Sequence, residues 1–248
     1  MASFLLYSFL SLLSTPFGSV KPVSRAAVSF TGGKDSMLAL HRIKDSGSTV
    51  AVLVTFCPPS GTPFRAHPLT VIKQQAEALG IPHVVCTVDG PDYLASYRSE
   101  IVRIGKEFSV DALVTGDIMP VCSDFMERAV QTTGVSLVRP LWMVPRDELL
   151  ADMWARNFNI IISCVNSTKL GLSDEECAGC IGKQFTKEWL KKLCSKNAKV
   201  DAAGELGEFH TMVLDSPLFR YKVEVEGTCG QDNSYLFLQI DSTRLVLK

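Results

Sequence analysis

A run of six residues, Thr31-Gly32-Gly33-Lys34-Asp35-Ser36, has the composition of a loop that holds phosphate. Its two glycines allow the backbone to approach a ligand closely and to turn in ways that are closed to other residues. The run opens a predicted helix, and a helix N-terminus offers unpaired N–H groups and a positive dipole end. Lys34 adds a charge, and the hydroxyls of Thr31 and Ser36 add donors. This order and position predict phosphate binding rather than an ordinary glycine-rich turn.

A second group of reactive side chains lies in Gly204-Glu205-Leu206-Gly207-Glu208-Phe209-His210-Thr211. Two carboxylates and one imidazole fall within six residues and are separated by glycine. Such a set suits a metal, a cation or a proton transfer. On its own, the pattern is more typical of a solvated turn that leads into a strand. A catalytic role for it therefore depends on what else the chain contains.

The elements that must position these residues alternate between short apolar runs and longer amphipathic ones. The predicted strands are Ala26–Phe30, Thr49–Phe56, His83–Val88, Asp111–Thr115 and Asn159–Val165. The predicted helices are Asp35–Asp45, Pro68–Leu79, Asp92–Phe108, one near Asp124–Thr133 and one that starts by Pro145. This alternation predicts an α/β fold with a doubly wound parallel sheet and helices on both faces. Ligands bind at the carboxyl ends of such strands, so the loops after Phe30, Phe56, Val88 and Thr115 are the predicted site.

The chain is predicted to divide into three parts. Residues 24–166 form a nucleotide-binding domain, and residues 167–248 form a smaller C-terminal lobe. This lobe contains a basic helix, Phe185–Lys199, and the strands Thr211–Leu214, Phe219–Glu226 and Tyr235–Val246. Residues 1–23 are interpreted as an extension or a transit segment. Their apolar run is shorter than the roughly 20 residues that span a bilayer, and no basic residue precedes it as in a secretory signal.

The first motif differs from two familiar phosphate loops. In a Walker A loop the lysine precedes Ser or Thr, and a dinucleotide fingerprint needs three spaced glycines. The motif resembles instead the PP-loop, Ser-Gly-Gly-x-Asp-Ser, of the ATP pyrophosphatases, with Thr31 keeping the first hydroxyl. Together with the motif at 204–211, it is similar to the diphthine–ammonia ligase family. Segments 112–118 and 213–219 resemble that family too, so the resemblance covers about residues 26–225.

The resemblance implies an adenine-nucleotide α-hydrolase type of fold and a ligase that uses ATP and ammonium. Its acceptor would be the diphthine carboxylate of elongation factor 2. Amidation through an adenylated intermediate would give diphthamide, AMP and pyrophosphate. Carried over by position, residues 31–36 would hold the ATP phosphates with Mg²⁺, beside Gly116 and Asp117. The implied catalytic residues are Lys34, Asp35, Glu205, Glu208 and His210.

The last three of these residues would line the acceptor side. From their charges, a carboxylate pair could hold the fixed cation of diphthine or a magnesium ion on pyrophosphate, and both roles remain open. No dedicated protein-bound metal site is predicted.

Two departures from the family pattern concern the acceptor. Ala202 and Ala203 stand where the family often has Pro-Cys, so no catalytic thiol is expected there. The sequence Glu-Phe-His-Thr at 208–211 is similar to the bacterial-type branch of the family, whereas archaeal and eukaryotic members more often have Glu-Tyr-Glu-Thr; bacteria lack diphthamide. One alternative is therefore a ligase with a different carboxylate or a sulfur-acceptor substrate. Another is a non-catalytic regulator that binds ATP.

Several other side chains have simpler interpretations. Cys177 and Cys180 have the spacing of a redox or metal pair, but no second pair accompanies them, and they are interpreted as incidental thiols. His67, beside Pro68, is interpreted as a surface histidine. Trp142 is a candidate wall of a nucleotide or trimethylammonium pocket.

The composition fits a soluble globular protein. Of the 248 residues, 46% are hydrophobic and 21% are charged, and the net charge is -1. This balance gives no indication of nucleic acid or of a membrane as the main partner. The eight cysteines are spread along a chain too long to need disulfides, which favours a reducing compartment. The expected location is the cytoplasm, with organelle import left open by residues 1–23.

Overall fold

The computed structural model describes residues 20–59, 64–121 and 123–248. A first sheet is built from β1 (Arg25–Ser29), β2 (Thr49–Cys57), β3 (His83–Thr87), β4 (Ala112–Val114) and β5 (Ser136–Val138). All five strands are parallel, in the order β3-β2-β1-β4-β5. The predicted α/β class with a doubly wound parallel sheet is confirmed. The sequence analysis missed β5, because a three-residue strand is too short for a periodicity to appear.

Helices cover both faces of this sheet. They are α1 (Lys34–Asp45), α2 (Leu69–Leu79), α3 (Tyr93–Glu107), α4 (Phe125–Val130) and α5 (Arg146–Ala155). Successive side chains of a strand point to opposite faces, and β1 shows the consequence. Ala26 and Val28 pack in one core with α1, α2 and α5, while Ala27 packs in the other with α3 and α4.

The strand order creates a crevice at the middle of the sheet. From β1 the chain adds β2 and then β3 on one side, and it returns to place β4 on the other side of β1. The loops that follow β1 and β4 therefore leave the sheet toward opposite faces, and ligands of doubly wound sheets bind in the gap between them. Thr31–Ser36 follows β1 and Gly116 follows β4, so both predicted nucleotide segments lie at this gap.

A second sheet is antiparallel. It contains β6 (Asn159–Asn166), β7 (Phe209–Asp215), β8 (Tyr221–Asp232) and β9 (Tyr235–Leu247) in the order β7-β6-β9-β8. Between β6 and β7 lie α6 (Ser167–Leu170), α7 (Asp174–Ala178) and α8 (Lys187–Lys196). The sequence analysis placed the β6 strand within residues 24–166, but β6 pairs with β7 and β9. The apolar sequence of β6 is buried almost throughout, so it is compatible with a place in either sheet. The domain boundary after residue 166 stays a prediction.

The second sheet meets the first through β7. The N–H of Val213 donates to the carbonyl of Gly32 at 3.0 Å, and the N–H of Lys34 donates to Thr211 Oγ1 at 3.1 Å. One hydrophobic core includes residues of both sheets. The antiparallel sheet therefore forms one wall of the crevice.

The interpretation of residues 1–23 as a separate segment concerns mainly residues 1–19, which lie outside the described residues. Within the described ranges, no helix is both long and apolar enough to cross a membrane.

Candidate active site

The loop Thr31–Ser36 has the backbone of an anion cradle. Gly32 has a φ of +73°, which L side chains adopt at a cost, and Gly33 is the N-cap of α1. The N–H of Lys34, the first of the helix, donates to Thr211 Oγ1 at 3.1 Å, so an anion at this loop would be held by the other N–H groups of the first turn. Gln75 fixes the loop from behind, because its Nε2 donates to the carbonyls of Gly32 at 2.9 Å and Val213 at 2.7 Å.

The segment after β4 closes against the same helix start. A Cβ placed on Gly116 would lie 2.9 Å from the carbonyl carbon of Asp35 and from the backbone nitrogen of Ser36. Only a glycine fits at this separation without moving the loop. Beside it, Asp117 accepts a hydrogen bond from the Thr115 hydroxyl at 2.7 Å. The structure thus brings Gly116, with Asp117 directly after it, to the loop Thr31–Ser36, for which phosphate binding stays a prediction.

Lys34 joins the two sequence motifs. Its side chain is buried, and its Nζ lies 2.7 Å from Asp35 Oδ2 and 2.5 Å from the carbonyl of Ala203. The same ammonium lies 5.7 Å from the centre of the Phe209 ring. The positive charge expected at the phosphates therefore also anchors the segment 203–209. A direct contact of Lys34 with phosphate stays a prediction.

Of the two glutamates in the second motif, Glu205 is the one whose side chain faces a cavity. It lines a cavity together with Asp117. Burial, and then repulsion from the Asp35 carboxylate, raise the pKa of Glu205 to about 7. The neighbouring cations are engaged elsewhere, since Lys34 pairs with Asp35 and Arg146 pairs with Asp201 at 3.1 Å. Glu205 is thus a half-buried carboxyl that titrates near neutral pH.

Glu208 has a different environment, although the sequence groups it with Glu205. It is 3% exposed, and its two oxygens accept from the backbone N–H groups of Asp201 at 2.8 Å and Leu206 at 3.0 Å. Both oxygens therefore hold the loop that carries Glu205. Among the described residues, no group of three or more acidic, histidine or cysteine side chains is arranged to hold a metal ion.

His210 contacts a residue that the sequence analysis set aside. Its ring meets that of His67 edge to face, with the centroids 5.1 Å apart. Burial lowers the pKa of His210, and burial with the neighbouring His210 lowers the pKa of His67 to about 3. The interpretation of His67 as a surface histidine was wrong, because its Nδ1 is buried. Its position next to a proline gave no signal of this contact.

The cavity beside Asp117 and Glu205 has a volume of about 480 Å³. Its remaining lining is mostly aromatic and apolar: Tyr93, Tyr97, Met119, Pro120, Val121, Ser123, Phe125, Met126, Glu127, Arg139 and Trp142. Sequence analysis singled out only Trp142 of this set, because the others lie on helices and loops without a motif. The Arg139 guanidinium stacks on Trp142 at 3.5 Å from the ring centre and pairs with Glu127 at 2.6 Å. We refer to this space as the aromatic-acidic cavity.

The cysteine pair is part of the packing of the second sheet. Cys177 is fully buried, and burial raises its pKa to about 11. The Sγ of Cys180 accepts from the indole N–H of Trp189 at 3.3 Å. A thiol with a raised pKa is a weak nucleophile at neutral pH, so Cys177 lacks the environment of a reactive cysteine.

Comparison with known proteins gives two family matches. The family model described as Diphthamide synthase N-terminal domain matches residues 24–136, and the one described as Diphthamide synthase C-terminal domain matches residues 146–245. Together the two matches cover most of the chain.

Individual relatives are more distant. The diphthine–ammonia ligase of Schizosaccharomyces pombe is 26% identical over 216 residues, which are 78% of this chain and 34% of that protein. The chain thus spans about a third of the length of that relative. The diphthine–ammonia ligase of Bos taurus is 25% identical over 82% of this chain and 84% of its own length. A solved structure, the U34-tRNA thiolase NcsA from Methanococcus maripaludis, aligns with a TM-score of 0.41 and 17% identity over 55% of this chain and 59% of that one.

Proposed function

The chain belongs to the diphthamide synthase family, and on that premise we propose that it is an ATP-dependent ligase that forms a C–N bond. The proposed reaction amidates the diphthine carboxylate of elongation factor 2 with ammonium and yields diphthamide, AMP and pyrophosphate. One observation carries the proposal. The phosphate loop, Gly116 and Glu205 come from three distant parts of the sequence and meet around one crevice.

The residues present fit the phosphates of ATP. Beyond the Lys34 N–H, which donates to Thr211, the first turn of α1 offers the N–H groups of Asp35 and Ser36 to an anion, as in other helix-terminal phosphate sites. Mg²⁺ on phosphates usually takes only one or two carboxylates from the protein. Asp35 and Asp117 are the residues that would supply them, and the ion would screen charge on the phosphates.

In the proposed chemistry, an oxygen of the acceptor carboxylate displaces pyrophosphate from the α-phosphorus of ATP. Ammonium loses a proton to solvent, and the resulting ammonia forms a bond to the activated carbonyl carbon. AMP leaves with that oxygen, and the nitrogen releases a second proton to give the amide. Residues 31–36 and Gly116 position the phosphates, and positioning of reactants is a large part of catalysis in phosphate chemistry. Lys34 fixes the loop that carries Glu205 against the nucleotide side.

Glu205 is the residue proposed to act on the acceptor side. Glu208 has both oxygens engaged by backbone N–H groups, so it would act by shaping the loop. An ionised Glu205 would hold either the fixed cation of the acceptor or a magnesium ion on pyrophosphate. If Glu205→Gln leaves ATP cleavage and acceptor binding both at the level of the unmodified chain, neither role is correct.

An acceptor carried by a protein is favoured by the rim of the crevice. Tyr93 and Val121, which line the aromatic-acidic cavity, are 53% and 54% exposed. Leu206, next to Glu205, is 52% exposed, and Met143, next to Trp142, is 67% exposed. We propose that these exposed apolar side chains, which border the acceptor side, contact the protein that carries the acceptor.

A second candidate is a ligase with the same ATP chemistry and a different acceptor. His210, within the bacterial-type spelling of the second motif, is the observation that favours it. The two candidates are separated by following AMP release with ATP, Mg²⁺ and ammonium, with and without diphthine-bearing elongation factor 2. AMP release that depends on the factor supports the first candidate. AMP release that depends on another carboxylate and ignores the factor supports the second.

A further inference from the structure

When Glu205 is ionised, the aromatic-acidic cavity has an excess of negative charge. Its one basic residue, Arg139, is already paired with Glu127. The remaining carboxyl groups, Asp117 and Glu205, take part in none of the ion pairs formed between described residues. A cavity of this charge attracts a cation and repels the phosphates of a nucleotide.

The walls of the cavity suit a cation that donates no hydrogen bonds. Aromatic rings attract cations through the negative potential of their faces, which is the usual means of recognising quaternary ammonium groups. Tyr97 packs edge to face on Phe125 with centroids 5.1 Å apart, and it stacks on Phe56 at 4.7 Å. Tyr93 stands at the mouth with half of its surface exposed. The lining of the cavity thus combines aromatic rings with the carboxyl groups of Asp117 and Glu205, while Trp142 already carries the Arg139 guanidinium on one face.

We propose that the aromatic-acidic cavity binds a quaternary ammonium group of the carboxylate acceptor and thereby turns its carboxylate toward the phosphate loop. The inference rests on the proposed function, because it assigns the acceptor side of the same crevice. Asp117 links the two halves of the site, since it lines the cavity and directly follows Gly116, which contacts the start of α1. The fixed cation is therefore the feature by which the chain selects its acceptor.

The test uses two probes of the same shape. Choline carries a trimethylammonium group, and 3,3-dimethyl-1-butanol carries a neutral tert-butyl group in its place. Binding of each probe to the full chain is followed by NMR titration, with and without saturating ATP. At pH 8, where Glu205 is ionised, choline is expected to bind about tenfold more tightly than the alcohol, and ATP added without Mg²⁺ is expected not to displace it.

Two exposed tyrosines provide a matched pair of variants. Tyr93→Leu removes a ring from the cavity mouth, whereas Tyr235→Leu removes a similarly exposed ring at the start of β9. Loss of one aromatic face is expected to weaken choline binding by roughly 2-fold to 30-fold in the first variant and not in the second. Asp117→Asn is expected to weaken binding of choline and to leave binding of the alcohol unchanged.

Three results would each overturn the inference. They are equal binding of choline and the alcohol, displacement of choline by ATP, and an equal response of Tyr93→Leu and Tyr235→Leu. Displacement by ATP would assign the cavity to the adenine ring. Failure of the proposed function has a different signature: choline binds as expected, but no AMP forms with any acceptor. Conversely, amidation with an unchanged acceptor KM in Tyr93→Leu would refute the cavity assignment alone.

Discussion

The substitution Glu205→Gln is predicted to stabilise the protein at alkaline pH while it impairs acceptor chemistry. Burial and the Asp35 carboxylate raise the pKa of Glu205 from 4.5 to about 7. At a pH below 4.5 the carboxyl group is protonated in the folded and the unfolded chain, and its ionisation has no effect. Between pH 4.5 and 7 the unfolded chain loses this proton first, so the free energy of unfolding falls as the pH rises. Above pH 7 the full penalty is present.

The size of the effect follows from the difference between the two pKa values. At about 1.4 kcal/mol per pH unit, the shift corresponds to a penalty of about 3 kcal/mol at pH 8 for a fully buried group. Glu205 is only half-buried, so solvent screening reduces the expected effect to about 1–2 kcal/mol between pH 5 and pH 8. Glutamine keeps the shape of the side chain without the charge and does not incur this penalty.

The assay is urea unfolding of the full chain at pH 5 and at pH 8 without ATP. The stability gained from Glu205→Gln should be about 1–2 kcal/mol larger at pH 8 than at pH 5. Glu77→Gln is the matched control, because Glu77 is exposed on α2 and its substitution should have the same small effect at both pH values. If the two variants show the same pH dependence, Glu205 ionises like a surface carboxylate and the reasoning about its environment is refuted.

Three further substitutions test the geometry of the crevice. Gly116→Ala places a methyl group 2.9 Å from the backbone of α1 and should weaken ATP binding, measured by calorimetry, at least about tenfold. The control Gly179→Ala, whose new methyl group would have its nearest atom at 3.4 Å, should leave ATP affinity unchanged. Equal ATP affinities of the two variants would contradict the close approach of Gly116 to α1. Glu208→Gln replaces one accepting oxygen by an NH2 group, which cannot accept from a backbone N–H, so one of the two hydrogen bonds is lost. The free energy of unfolding in urea should fall by about 1–3 kcal/mol, and an unchanged stability would refute the role of Glu208 in the loop. Thr211→Val removes the hydroxyl that accepts from the Lys34 N–H and should lower the free energy of unfolding by about 1 kcal/mol. Thr211→Ser keeps this hydroxyl and should keep that stability. An equal loss in both variants would show that Thr211 contributes through packing and not through the hydrogen bond.

The loop Thr31–Ser36 and the strand and helix on either side of it could be predicted from local sequence patterns. The strand, loop and helix around Thr31–Ser36 are adjacent in the sequence, and their periodicity and glycines are read from neighbouring residues. The place of Gly116 also follows from sequence order, because strands that alternate with helices form a parallel sheet with a shared carboxyl edge. Among the C-terminal strands, Tyr235–Val246 was predicted within one residue of β9, whereas the predicted strand Phe219–Glu226 ends six residues before the end of β8 at Asp232.

The remaining features of the site depend on contacts between residues that are far apart in the sequence. The bond from Lys34 Nζ to Ala203 joins residues 169 positions apart, and no local pattern encodes it. Glu205 and Glu208 are equivalent in a sequence motif, yet one faces a cavity and the other is held by backbone N–H groups. The pairing of β6 with the second sheet depends on which apolar surface covers it. Such choices are made by tertiary packing and not by local preference.

The central claim is that the crevice couples ATP cleavage to amide formation on a protein-borne carboxylate. The most direct test incubates the full chain with ATP, Mg²⁺, ammonium and diphthine-bearing elongation factor 2, and it measures AMP release together with the mass of the modified residue. The account predicts that AMP and amide form in equal amounts, that both require the factor, and that both are lost in Gly116→Ala. ATP bound without factor-dependent AMP would contradict the assigned acceptor, and failure to bind ATP would contradict the assignment of the phosphate loop itself.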